Sequence, residues 1–304
     1  MSPLRIGVDL GGTKIEVVAI NDRGEIQNRL RKPTPAGDYE GILSQVVELV
    51  NTVAGGSSNI TVGIGTPGSV NPVTGLQRNS NSTCLNGRPF ARDLKSALGV
   101  PSCIANDANC FALSESRDGA GAGARVDFGV ILGTGCGGGI VVDGKLVEGL
   151  NGIGGEWGHM ALPRRDGQGW EPRPCYCGRS DCLEQYLSGT SLQEEYARES
   201  GRRLVMKDIV AQVDTDLHAK AVLDRFYDRL AESLVSVVNL LDPDVIVLGG
   251  GLSNLDSIYD AVPKLVHERA FSDLCTTPIV KNVHGDSSGV LGAARLLDHL
   301  HNFN

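Results

Sequence analysis

Two periodicities organise the apolar positions of this chain. Short apolar runs bounded by glycine read as buried strands, and recurrences three and four residues apart read as amphipathic helices. Arg5 to Leu10 is such a strand, Gly11-Gly12-Thr13 a tight turn, and Lys14 to Ile20 a returning strand. The turn joins two strands and does not open a helix. From Asp38 to Val53, the residues Tyr39, Ile42, Leu43, Val46, Val47, Val50 and Val53 mark one face of a helix. Ile60 to Ile64 is a buried strand leading into Gly65-Thr66-Pro67-Gly68. A helix beginning at Asp107 covers Ala108 to Glu115. Asp118-Gly119-Ala120-Gly121-Ala122-Gly123 then breaks the chain and marks a domain boundary.

The second half repeats the opening of the first. Phe128 to Leu132 is a strand, Gly133-Thr134-Gly135 a turn, and Gly138 to Val142 a returning strand, with Asp143-Gly144 as the next hairpin turn. Lys220 to Leu241 is a long helix with Leu223, Phe226, Leu230, Leu234, Val237, Val238 and Leu241 along one face, stopped by Asp242-Pro243-Asp244. Val245 to Leu248 is a strand, and Gly249-Gly250-Gly251 leads into another helix. Ser287 or Ser288 is placed to cap a final helix through Leu300. Two copies of strand, Gly-Thr turn and strand, each followed by helices, predict two related α/β domains facing each other. The first covers residues 1–117 and the second 118–287, with a C-terminal helix over 288–304 packing back on the first.

Composition narrows the function. At 304 residues the chain is long enough for two cored domains, and no apolar run reaches the ~20 residues that span a bilayer. A net charge of −8 argues against DNA or RNA as partner. It leaves small phosphates open, because backbone N–H groups hold those without net positive charge. The 40 glycines are nearly double the usual ~7 % share, and they cluster where strands end. That placement suggests loops where backbone approaches a ligand. Nothing at the N-terminus resembles a secretion signal, so the expected compartment is the cytoplasm, with thiols reduced.

Residues 156–184 hold the densest chemistry. Glu156-Trp157-Gly158-His159 precedes Cys175-Tyr176-Cys177-Gly178 and Cys182-Leu183-Glu184. Three Cys and one His are a complete tetrahedral set for structural zinc. Alternatives are a disulfide, or thiols acting as small apolar core residues. The latter suits Cys84, Cys103, Cys110, Cys136 and Cys275, which stand alone; it suits Cys175, Cys177 and Cys182 badly, among Pro, Gly, Arg and Asp. A metal knotting this loop would fix the directions of Glu156 and Glu184, and rigid carboxylates grip polyols.

The glycine motifs are not dinucleotide fingerprints. Gly63 to Gly68 and Gly133 to Gly138 match G-x-G-x-x-G, but no helix follows either. Asp9-Leu10-Gly11-Gly12-Thr13-Lys14 instead offers turn N–H groups, a hydroxyl and a cation, which suits phosphate. Gly133-Thr134-Gly135 is a second copy, and two such hairpins suit adjacent phosphates of one nucleotide. Gly249-Gly250-Gly251 suits close approach of an adenosine ring. Asp107 stands between the two hairpins in sequence, where phosphoryl transfer to an alcohol needs a carboxylate. As an alternative, Asp107 is simply the N-cap of its helix.

These motifs occur in one order along the chain: Asp9 to Lys14, Gly65-Thr66-Pro67-Gly68, Ala105-Asn106-Asp107-Ala108-Asn109, Gly133-Thr134-Gly135-Cys136-Gly137, Glu156 to His159 and Cys175 to Gly178. Together they resemble the ROK family of sugar kinases, across essentially the whole chain. The resemblance implies the actin-like ATPase (ribonuclease-H-like) fold, with two α/β domains around a cleft that closes on ATP and sugar. It implies Asp107 as general base. It implies Gly68, Asn81, Asn106, Glu156, His159 and Glu184 at the sugar, with His159, Cys175, Cys177 and Cys182 on structural Zn2+. ATP, carried with Mg2+, would meet Asp9, Gly11, Gly12, Thr13, Lys14, Gly133, Thr134, Gly135, Gly250 and Gly251. Homodimers are common among such proteins.

Asn79-Ser80-Asn81-Ser82-Thr83-Cys84-Leu85-Asn86-Gly87 and His284-Gly285-Asp286-Ser287-Ser288-Gly289-Val290 resemble the fructokinase (manno-fructokinase) branch, although Cys84 replaces an expected Trp. The expected reaction is therefore phosphorylation of fructose, or mannose, at the 6-hydroxyl. Glucokinase or N-acetylglucosamine/N-acetylmannosamine kinase activity is the alternative. A repressor of the same family needs a helix-turn-helix ahead of the first hairpin, and the start at Asp9 leaves no room for one. A sugar sensor without activity should lack the acid at position 107.

Overall fold

The computed structural model describes residues 3–163 and 172–298. The chain forms two compact units. The first comprises Met1–Gly123, Gly139–Gly155 and Val283–Asn304, and the second Ala124–Gly138 and Glu156–Asn282.

In the first unit, β1 (Leu4–Leu10) and β2 (Lys14–Ile20) form the expected antiparallel hairpin, and β3 (Ile26–Pro33) extends it at the edge. Helix α1 (Tyr39–Ala54) follows, then β4 (Ile60–Thr66), the short pair β5 (Ser69–Val70) and β6 (Gln77–Arg78), α2 (Phe90–Leu98), β7 (Ser102–Asn106) and α3 (Asp107–Asp118). The sheet order is β3-β2-β1-β4-β7, with β1, β4 and β7 parallel. Asp38 caps α1 by accepting the Gly41 N–H, and Gly55 closes it in the left-handed region. The buried face of α1 uses Leu49 as well as the expected residues, while Val47 is half-buried.

The second hairpin is made by β8 (Val126–Leu132) and β9 (Cys136–Val142), and β10 (Lys145–Leu146) returns from β9. That last turn has Asp143 at φ 49° and Gly144 at φ 70°, as a two-residue Asp-Gly hairpin requires. Helices α4 (Glu184–Leu187), α5 (Gly189–Ser200), α6 (Met206–Val210) and α7 (Leu217–Leu241) precede β11 (Val245–Gly249), α8 (Asp256–Arg269) and β12 (Ile279–Lys281). The sheet order, β10-β9-β8-β11-β12, repeats that of the first unit. The fold class read from the sequence, α/β with a duplicated ribonuclease-H-like sheet, is the one observed. Helix α7 starts three residues earlier than its apolar stripe suggested, because the Asp216 carboxylate accepts the N–H groups of His218 and Ala219.

The last described helix, α9 (Ser288–Ala294), packs against β1, β4 and α3. Its approach explains several glycines that no ligand needs. A Cβ at Gly7 would fall on the carbonyl of Val290, one at Gly63 on that of Ala293, and one at Gly292 on that of Cys110. The serines expected to cap this helix do other work. Ser287 Oγ accepts from Arg29 at 2.5 Å, and Ser288 Oγ donates at 2.8 Å to Glu115, a buried carboxylate that also takes the N–H groups of Val283 and His284. The helical stretch expected beyond Asp298 lies outside the described residues. Among the described residues no helix is long and apolar enough to cross a membrane.

Candidate functional site

In the first unit the chemistry collects at the carboxyl ends of three parallel strands, where open α/β sheets bind ligands. Asp9 of β1 is in register with Gly65 of β4, and Gly65 with Ala105 of β7. Burial, then the carboxylates of Asp107 and Glu16, pushes the Asp9 carboxyl up to about 7, against the pull of Lys14 and Arg31. An arriving cation would ionise it. The hairpin turn after Asp9 is braced from behind. Gly11 N–H donates to Lys14 O at 3.0 Å, Thr34 Oγ1 to Gly11 O at 2.7 Å, and Thr34 N–H to Thr13 O at 3.0 Å.

Asn106 settles the capping question raised by Asp107. Asn106 is the N-cap of α3, its Oδ1 accepting the Ala108 N–H at 2.9 Å. Asp107 is the first helical residue, and its Oδ1 shares the same N–H at 2.9 Å. The helix therefore has its cap without Asp107. The Asn106 amide also donates to Gly68 O at 3.0 Å. Gly68 has φ 76°, and a Cβ there would fall on the carbonyl of Arg78. Asn81 is exposed, and the Cβ position of Gly12 lies 4.0 Å from its Oδ1.

The second unit wires its own hairpin the same way. Gly133 N–H donates to Gly135 O at 3.0 Å, Gly189 N–H to Gly133 O at 2.7 Å, and Thr190 Oγ1 to Thr134 O at 3.0 Å. Beside this turn lies a cavity of about 540 Å³, within the usual size for a small-ligand pocket. Thr134 and Asn254 give it polar edges, while Met206, Val210, Leu252 and Leu255 make apolar walls. Gly250 holds φ 80° with its Cβ position 2.5 Å from Leu132 O, so only glycine fits there. Gly251 borders the cavity.

The cysteine loop is folded as a knuckle. Cys175 N–H donates to Arg179 O at 2.8 Å, Gly178 turns at φ 86°, and Asp181 sits at φ 62° with its carboxylate accepting from Tyr186 at 2.6 Å. One ligand atom from each of His159, Cys175, Cys177 and Cys182 lies within 4.8 Å of all the others. Cys177 and Cys182 sulfurs are 3.5 Å apart, and Cys175 Sγ is 3.7 Å from His159 Nδ1. A disulfide requires ~2.05 Å, whereas tetrahedral zinc with Zn–S of ~2.3 Å spaces its ligands roughly 3.8 Å apart. The donor set and spacing fit zinc. Against the cost of burial, the N–H and guanidinium of Arg179 hold the Cys177 thiol below its ordinary value, which favours thiolate.

The predicted sugar carboxylates border this knuckle. Trp157 anchors the His159 turn, its Nε1 donating to Gly137 O at 2.7 Å and its ring edge-on to Phe128. Glu156 is the residue before that turn. Glu184 opens α4, and its Oε2 accepts the Cys136 N–H at 3.1 Å, so a sugar candidate is tied to the second phosphate hairpin. Burial, then Glu184 and further neighbours that include Glu156, raises the Tyr176 phenol above its ordinary value.

Within the first unit the structure thus assembles Asp9, Gly11 to Lys14, Gly68, Asn81, Asn106 and Asp107. Within the second it assembles Gly133 to Gly135, Gly250, Gly251, Glu156, His159, Glu184 and the three cysteines. Sequence reasoning missed the cavity wall from α5 and α6, whose one signal was Gly189 opening a helix, and it missed Tyr176.

Comparison with known proteins places these features in a lineage. The family model described as the ROK family matches residues 5–299. The N-acetyl-D-glucosamine kinase of Haemophilus influenzae (strain 86-028NP) is 40 % identical over 297 residues, covering 95 % of this chain and 98 % of that protein. The enzyme of the same name from Pasteurella multocida (strain Pm70) is 40 % identical over 300 residues, covering 96 % and 99 %. A ROK hexokinase from Thermus thermophilus superposes with a TM-score of 0.86 at 28 % identity, covering 98 % of each chain. Neither curated relative is a fructokinase. The branch expectation rested on the segments 79–87 and 284–290, and the asparagines of the first are mostly turn formers. Asn79 holds φ 58°, and Asn86 brackets Ser80 with two 2.9 Å bonds.

Proposed function

The chain belongs to the ROK family, and from that premise we propose that it is an ATP-dependent sugar kinase acting on the 6-hydroxyl of N-acetyl-D-glucosamine. The choice of sugar over fructose follows the 40 % identical relatives, which span nearly the whole chain. One observation carries the chemistry: Asp107 stands at the carboxyl end of the parallel strands while Asn106 does the capping. The helix start does not depend on Asp107, and its carboxylate is the group proposed to accept the proton of the attacking hydroxyl.

By resemblance to the family, Gly68, Asn81, Asn106, Glu156, His159 and Glu184 are the residues proposed to hold sugar hydroxyls, with Asn106 braced on Gly68. The turns 11–14 and 133–135 present N–H groups and threonine hydroxyls to the phosphates, with Lys14 adding charge. The cavity walled by Met206, Val210, Leu252 and Leu255 takes the adenosine, an apolar body with a few polar edges. Mg2+ carried with the triphosphate would supply charge neutralisation, and Asp9, at the end of β1 before the turn 11–14, is the carboxylate proposed to meet it. Zinc held by His159, Cys175, Cys177 and Cys182 would supply rigidity and fix the orientation of the imidazole.

A coupled ADP assay over N-acetylglucosamine, N-acetylmannosamine, glucose, mannose and fructose tests the proposal. N-acetylglucosamine should lead fructose in kcat/KM by at least about tenfold, a gap of ~1.4 kcal/mol in transition-state binding. A preference for fructose would overturn the sugar assignment, and no turnover of any hexose would overturn the kinase.

A further inference from the structure

His159 has two ring nitrogens and both are engaged. Nδ1 lies 3.7 Å from the Cys175 sulfur, on the metal side, and Nε2 lies 3.0 Å from the hydroxyl of Tyr176. The two rings meet edge to face, with centroids 5.2 Å apart at 83°. Yet Tyr176 is 69 % exposed. The bond to His159, the edge-on ring contact and the short Cys175–Cys177 span set the position of its hydroxyl end.

An imidazole that gives Nδ1 to a metal carries its proton on Nε2. With zinc on Nδ1, that N–H would donate to the Tyr176 phenol oxygen. One hydroxyl thus occupies the outer ring nitrogen of a group assigned to the sugar. A hydroxyl bonded to that imidazole nitrogen is the situation expected of a bound sugar hydroxyl.

We propose that the Tyr176 hydroxyl stands in for a sugar hydroxyl on His159 Nε2 in the sugar-free protein, and that sugar binds by displacing it. This rests on the assignment of His159, Glu156 and Glu184 to the sugar. Displacement is easy, because the exposed phenol finds water when it leaves. It is not free, because the observed affinity is reduced by the fraction of molecules in which the phenol still occupies the imidazole. Tyr176 thereby acts on specificity: a sugar lacking the hydroxyl that His159 takes cannot repay the lost bond.

Tyr176→Phe separates the stand-in from other roles, since it keeps the ring against His159 and removes only the oxygen. Calorimetric titration with sugar alone, on protein as purified, gives the dissociation constant, and metal analysis gives zinc per chain. The variant should bind sugar about two- to tenfold more tightly than the parent, the range set by one neutral hydrogen bond, with zinc per chain unchanged. An unchanged or weaker affinity would overturn the proposal, because the hydroxyl would then be a bystander or itself a sugar contact. Loss of zinc would overturn it too, because the hydroxyl would then be holding the ligand imidazole in place. The ratio is read with whichever hexose the parent binds most tightly, so a wrong sugar assignment and a wrong role for Tyr176 give different results.

Discussion

Replacing Asp107 with Asn separates catalysis from capping with one atom. In the parent, the Ala108 N–H is shared by Asn106 Oδ1 and Asp107 Oδ1, each at 2.9 Å. Asparagine keeps an Oδ1, and Asn106 is untouched, so the start of α3 survives. Even outright loss of an N-cap costs only ~1 kcal/mol, or about 2–4 °C in a chain of this size. The variant should therefore melt within about 2 °C of the parent, and calorimetry should show that it still binds sugar. Turnover is another matter. A positioned general base contributes roughly 10²- to 10⁴-fold, equivalent to about 2.7–5.4 kcal/mol of barrier. The coupled ADP assay should show kcat reduced by at least about a hundredfold. The substitution also removes the largest nearby negative charge acting on Asp9, whose carboxyl should then titrate below its present value of about 7. If turnover stays within about threefold of the parent, Asp107 is not the base, and the acid at the head of α3 is merely a helix residue.

Gly68→Ala should abolish detectable sugar binding while leaving the isolated nucleotide affinity within about threefold, because a Cβ at φ 76° would strike Arg78 O and dislodge the carbonyl that Asn106 grips; equilibrium titration with each ligand checks it. Protein purified without added metal should carry about one zinc per chain, and Cys177→Ser should lower both that content and the melting temperature; metal-free protein of unchanged stability would leave the four residues as ordinary side chains. Glu195 is buried against burial's own cost by Arg229, Arg173 and Arg225, which pull its carboxyl down to about 2. The depressed value means that its contribution is complete above the ordinary value of 4.5 and is lost as pH falls toward 2, on the order of 3 kcal/mol in all. Melting curves between pH 6 and pH 2.5 should fall less steeply for Glu195→Gln than for the parent, from a lower starting point.

What the sequence disclosed depended on whether the informative face pointed inward. Strands β4 and β11 are buried along their whole length, and β1 and β8 along most of theirs, so their apolar runs announced them. Strand β3 was illegible for the opposite reason. Its Gln27, Asn28, Arg29, Arg31 and Lys32 are an edge facing water, and it exists because β2 offers a ladder and the buried Glu16 needs Arg29 and Arg31 at 3.0 and 2.8 Å. The glycine surplus was only half understood. Gly68 and Gly250 serve loops with special backbone, but Gly7, Gly63 and Gly292 clear a path for α9, a tertiary demand with no local signature. The Cys/His cluster was legible because ligand chemistry restricts residue type. Tyr176 was not, because any residue between two cysteines is unremarkable until its hydroxyl is seen at 3.0 Å from an imidazole.

The duplication explains how one sheet topology came to carry two kinds of chemistry. Asp9 pairs in register with Gly65 in the first sheet, and Ile131 with Gly249 in the second, so Ile131 occupies the position of Asp9. Extending the same register past β7 and β12 sets Ala105 against Asn282 and Asp107 against His284. The first copy thus keeps two carboxylates at the carboxyl ends of its strands, and the second keeps none at those positions. What both retain is the braced hairpin, Gly11 to Lys14 and Gly133 to Gly135, with its carbonyls tied back by a later threonine or glycine. Neutral N–H turns suffice for phosphate oxygens and favour an apolar cavity beside them, as at Met206 and Leu252. Carboxylates would repel a triphosphate unless a cation or a proton acceptor's task required them, and the copy that keeps them is the one bearing Asn81, Asn106 and Asp107. With the strand-end acids confined to one copy, the proposed nucleotide cavity and the proposed base would not oppose each other electrostatically at those positions.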